Sequence, residues 1–177
     1  MSTTRPGTGI AKTAGLLSLI AGIIFVLAGG VTWFVVSDQL AAEEITVPED
    51  ANFLAGREVG GPFTAYAQAD IINQHALAGT DGRTYAELGA AMREVEEGSP
   101  EHEELQAQRD SVMNASFLRA SLFTSVVAYG VAALVIGLGV LLGLVGLALM
   151  NLAKAAQTPV YADAPRDYDA GRDTRQS

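Results

Sequence analysis

GLLSLIAGIIFVLAGGVTWFVV, residues Gly15–Val36, contains no charged side chain, and the charge-free run around it extends from Thr13 to Ser37. A helix rises about 1.5 Å per residue and the hydrocarbon core of a bilayer is about 30 Å thick, so roughly 20 apolar residues suffice to cross it. A second charge-free run reaches from Ala120 to Ala153 and is most apolar over Val126–Leu149. It exceeds the minimum and can tilt. One charge at the centre of either helix would cost about 2.5–3.5 kcal/mol on insertion, and neither run has one.

A cleaved signal peptide is the competing reading of the first run, because Arg5 and Lys12 give it a basic start. Its length exceeds the usual apolar core of about 7–15 residues. It also continues through the bulky Trp33, Phe34, Val35 and Val36, with no small-x-small cleavage site around Ser37–Ala42. It reads as an uncleaved anchor. For the second run the competitor is a buried core helix, but a soluble chain of 177 residues could hardly bury it all round.

Composition agrees. Hydrophobic residues make up 49% and charged residues 18%, the latter below the usual share of about 25%, and the mean hydropathy is +0.25. The absence of cysteine excludes a disulfide framework, a thiolate metal site and a cysteine nucleophile. A net charge of -9 argues against sequence-independent nucleic-acid binding, which needs a basic surface.

The expected fold class is therefore an all-α membrane protein, two transmembrane helices with a mostly helical extracytoplasmic domain between them. The segments are 1–12 (N-terminal, cytoplasmic), 13–37 (first span), 38–119 (acidic domain), 120–153 (second span) and 154–177 (disordered cytoplasmic tail). Orientation follows from Arg5 and Lys12 before the first span and Lys154, Arg166, Arg172 and Arg175 after the second, since Lys and Arg mark the cytoplasmic side. Arg109 and Arg119 oppose this, although long loops obey the rule less strictly. The expected location is the cell membrane with both termini cytoplasmic. Trp33, Phe34, Phe117 and Phe123 stand where interfacial aromatics stand, and Arg119 can extend its stem along the bilayer.

Between the spans, Ala41–Val59 reads as extended chain and turns with room for one short strand. Pro62 suits the first turn of a helix ending near Gly79. Thr84 and Glu87 form a capping-box pattern for a second helix, with apolar Tyr85, Leu88, Met92 and Val95 on one face and Gly98 as its end. Ser99-Pro100-Glu101 starts a third helix, which is expected to run on into the second span.

Chemistry-bearing residues are sparse. Glu94, Glu96, Glu97, Glu101, Glu103 and Glu104 surround His102, but their spacing matches no EF-hand loop, and a solvated acidic helix end is the simpler reading. His75 and His102 are the only histidines, and nothing in their context joins them into a two-histidine, one-carboxylate iron site. Asn114-Ala115-Ser116 matches the glycosylation triplet but falls in an expected helix close to the membrane. No phosphate loop, nucleophile elbow or HExxH occurs. The sequence implies no cofactor and no metal.

Small residues in the spans carry more information. Gly15, Ser18, Gly22 and Gly29 fall on nearly one face of the first. In the second, Gly139 and Gly143 form a GxxxG, and Gly130, Ala133 and Gly137 form another stripe. Small residues let helix backbones approach closely in lipid. The expected use is pairing of the two spans, with a second stripe left for a membrane-protein partner or self-association.

ITVPEDANFLAG (Ile45–Gly56), GGPFTAYAQADIINQHAL (Gly60–Leu77) and SFLRASLFTSVVAYGVAALVIGLGVLL (Ser116–Leu142) resemble a family of small two-span actinobacterial membrane proteins. The resemblance covers most of the chain except both tails and implies the two-span topology. Members often carry the label aromatic ring-opening dioxygenase, which implies non-haem iron; two isolated histidines do not supply that site. The expectation is a non-enzymatic accessory or scaffold protein docked to membrane and extracytoplasmic partners. The alternatives are a small homo-oligomeric channel, disfavoured by the lack of a polar stripe in the spans, and the iron dioxygenase of the label.

Overall fold

A computed structural model describes residues 6–156. The expected disordered tail, from Gln157 onward, lies outside the described residues, as do the first five residues of the N-terminal segment. The order is α1 (Pro6–Ala42), α2 (Pro62–Ala78), α3 (Tyr85–Ala91) and α4 (Pro100–Ala155). Both α1 and α4 are long and apolar enough to cross a membrane, and only 11% and 17% of their most apolar windows are buried. The core helix of a soluble protein would be mostly covered.

Proline appears in α1 only at its first position, where no helical hydrogen bond is lost. The helix outruns the charge-free segment by several residues and ends at Ala42, after which Glu44 takes a left-handed φ of 52° and donates its N–H to Ala41 O. Helix α4, at 56 residues, spans about 84 Å at 1.5 Å per residue. It joins the acidic segment to the second apolar run without a break. Its start is set locally: the Ser99 hydroxyl accepts from the His102 N–H, Pro100 occupies the first turn, and Glu101 and Glu103 lie at the positive end of the dipole.

Helix α1 packs antiparallel along the C-terminal half of α4, so that Gly15 meets Gly146 and Gly29 meets Ala132. Helices α2 and α3 also pack on α4. One core cluster joins Leu40, Val47, Val59, Ala65, Ala69, Leu122 and Tyr129; a smaller one joins Leu88, Leu105 and Val112. Between α1 and α2 the chain doubles back, and Val47 N–H donates to Arg57 O while Val59 N–H donates to Ile45 O. This pairing yields one isolated bridge, Thr46 to Glu58, and no strand among the described residues.

The expected helix from Thr84 to Gly98 is cut short at Ala91. Arg93 and Glu94 instead donate to Ala90 and Ala91 in three-residue turns. Glu94, Glu96 and Glu97 would place three carboxylates at the negative end of a longer helix, which the macrodipole disfavours. Met92 and Val95 reach the small core from these turns instead.

Candidate functional site

The most constrained part of the molecule is the seam between α1 and α4. Gly15, Gly22 and Gly29 recur every seven residues on α1 and face Gly146, Gly139 and Ala132, which recur every seven on α4. A Cβ on Gly22 would stand 2.6 Å from Gly139 O and 2.8 Å from Gly143 N; one on Gly146 would stand 2.6 Å from Gly15 O. Those neighbours are backbone, which cannot swing aside. Ser18 adds a polar stitch, its hydroxyl donating to Leu142 O at 2.8 Å. In hydrocarbon such a bond replaces a partner that water cannot supply.

Gly143 lends its backbone to the contact, but a Cβ there would meet nothing within 4 Å. Gly130 and Gly137 likewise face open space and take no part in the seam. Ala132 and Gly146, both buried in α4, are the seam members that the GxxxG pattern misses. The signal that finds them is the heptad of small residues Ala132, Gly139, Gly146 and Ala153, matching the heptad of α1.

At the upper end of the seam stands Tyr129, 1% exposed. Its hydroxyl donates to Gly60 O at 3.2 Å and lies 2.8 Å from Ser37 Oγ. A phenol has one proton, so with that proton on Gly60 the serine hydroxyl is the donor to Tyr129. Trp33 turns its ring edge-on to Tyr129 with centroids 4.8 Å apart. Three segments distant in sequence thus meet at one phenol.

The other aromatic and cationic positions divide. Phe34 and Phe117 are exposed. Phe123 contacts Tyr66 of α2, with centroids 5.8 Å apart. Arg119 donates Nε–H to Ala69 O at 3.2 Å and holds its guanidinium 5.8 Å from the Phe123 ring. It thereby satisfies a carbonyl of α2 as well as standing beside the apolar run. Arg109 lies over the Tyr85 ring at 4.1 Å and joins α3 to α4.

His75 and His102 are not brought together. His75 Nε2 pairs with Asp50 Oδ2 at 2.7 Å, and this bond holds the exposed Asp50 carboxyl below the usual carboxylate range. His102 sits in the first turn of α4. Among the described residues no three of His, Asp and Glu converge as a metal would require, and Glu94–Glu104 spread over a turn and a helix start. The Glu87 carboxyl is also lowered, chiefly by the Thr84 backbone N–H at 2.7 Å and then by the Thr84 hydroxyl at 2.8 Å. Both features are structural clasps.

No family model, curated protein or solved structure matches this chain.

Proposed function

We propose that the chain is a two-pass cell-membrane protein with both termini cytoplasmic, acting as a non-enzymatic accessory or scaffold for another membrane component. The supporting observation is the surface of α1 and α4: Gly15, Gly22, Gly29, Gly139 and Gly146 are consumed by the seam, while Ile23, Leu27, Leu134, Leu141 and Leu144 remain exposed. Lipid is the solvent in which such a surface is stable. Close backbone packing makes the pair a rigid hairpin. Helix α4 would carry that rigidity past the bilayer to the acidic segment, which supports a role in presenting a surface at a fixed distance. The stripe of Gly130 and Gly137 lies on the lipid-facing side, open to a partner helix.

Mild-detergent extraction followed by native affinity purification tests this reading. A stable stoichiometric membrane partner is the expected result; recovery of an isolated monomer from cross-linked membranes would overturn it. Reporters fused at the two termini should both face the cytoplasm.

A further inference from the structure

Phe53, Leu54, Phe63 and Tyr66 are exposed on the segment that links α1 to α2 and on the first turns of α2. Phe63, at 75% exposed, is among the least covered large side chains outside the spans. Leu54 is held in a left-handed backbone conformation, φ 57°, that side chains rarely adopt, and it lines a hollow of about 730 Å³ together with Phe63 and the charged Arg57 and Glu58. Phe53 and Tyr66 touch, with ring centroids 5.9 Å apart. The two pairs gather at the start of α2 as an apolar patch bordered by Arg57 and Glu58.

Two contacts fix its level relative to the apolar runs. Gly60, next to the start of α2, accepts the Tyr129 hydroxyl, which is also bonded to Ser37, the last residue of the charge-free run of α1. Tyr66 packs on Phe123, just inside the charge-free run of α4. The patch therefore lies where the apolar surface of both long helices ends, and it continues that surface sideways. Aromatic side chains at this depth sit at the headgroup boundary. Ala65, Ala67, Ala69 and Ile71 of α2 are all buried, so Phe63 and Tyr66 in its first turns stand out from an otherwise covered helix.

We infer that the linking segment and the start of α2 make a third membrane contact, setting Phe53, Leu54, Phe63 and Tyr66 into the lipid interface as interfacial aromatic side chains are set. This rests on the proposal that α1 and α4 span. The occupant of the patch is lipid, because the patch adjoins lipid-exposed helix surface at the level of the bilayer boundary.

The absence of cysteine makes the test direct. Full-length single-cysteine variants Phe63→Cys, Phe53→Cys, Leu134→Cys and Glu101→Cys are nitroxide-labelled in vesicles of equal parts phosphatidylcholine and phosphatidylglycerol. Collision rates are then measured with dissolved oxygen, which favours lipid, and with a water-soluble nickel chelate. Labels at 63 and 53 should favour oxygen severalfold, as at 134, with the preference reversed at 101. A label at 134 in lipid with 63 and 53 in water would overturn this inference and leave the spans standing. Labels at 63 and 53 shielded from both agents would also overturn it, revealing a protein cover. A label at 134 in water would overturn the spanning proposal as well.

Discussion

Gly22 and Gly139 are reciprocal: a Cβ on the first would meet the carbonyl oxygen of the second at 2.6 Å, and a Cβ on the second would meet that of the first at 2.7 Å. Neither residue has room for one methyl group without moving a helix. Overpacking of this kind costs about 1–3 kcal/mol. Gly22→Ala and Gly139→Ala should each destabilise the helix pair by about that amount in reversible detergent-denaturant titrations. Gly137→Ala, facing open space, should be neutral or slightly stabilising, because glycine in a helix costs roughly 0.5–1 kcal/mol relative to alanine. Equal losses at all three positions would remove the seam as the cause.

Tyr129→Phe tests the junction above the seam. The substitution leaves Gly60 O without its side-chain donor and Ser37 without its acceptor, while the ring still packs on Trp33. Leaving a buried acceptor unpaired costs about 1–3 kcal/mol. Ser37→Ala should cost less, since Tyr129 keeps its bond to Gly60. Hydrogen exchange around Gly60 and Gly61 should quicken in Tyr129→Phe and change little in Ser37→Ala; the reverse order would refute the donor assignment.

How much of this was legible in the chain depends on how local each signal is. Both apolar helices, the Pro62 start of α2, the Thr84–Glu87 box and the Ser99 cap rest on neighbours within four residues, and the structure has them all. The early end of α3 was missed because apolar periodicity through Val95 looked helical while the cost of clustered glutamates at the helix end did not enter it. Gly146 lies outside the GxxxG spacing, because an antiparallel seam repeats every seven residues. Tyr129 could not have been found. Its acceptor lies 69 residues away, and no periodicity records which loop carbonyl a buried phenol will meet.

The Thr84–Glu87 clasp gives a pH dependence of definite sign. Contact with the Thr84 N–H and hydroxyl lowers the Glu87 carboxyl below its ordinary value of about 4.5. A group whose pKa is depressed on folding stabilises the fold above its unfolded value and loses that contribution as pH falls through the folded one. Protection of the α3 amides should therefore be complete above about pH 5.5, roughly one unit above the unfolded carboxyl, and decline as the solution is acidified below it. Glu87→Gln should flatten this decline over α3. The Asp50–His75 bond depresses Asp50 in the same sense, so His75→Ala should shift the acid response of the linking segment and leave α3 untouched.

Arg119 separates two roles that a basic residue beside an apolar run can have. As a positive charge anchored among headgroups it would be replaceable by lysine, whose ammonium also reaches outward on a flexible stem. The structure uses its Nε–H, donated to Ala69 O at 3.2 Å, and lysine has no donor at that point of its chain. If the bond to α2 matters, Arg119→Lys should resemble Arg119→Ala: both lose about 1.5–3 kcal/mol, the range for a charged donor bond, and both speed exchange along α2. If only the charge matters, Arg119→Lys should match the wild type while Arg119→Ala alone weakens membrane retention. The geometry favours the first outcome, because the guanidinium is held beside the Phe123 ring and directed at the backbone of a helix on the same side of α4.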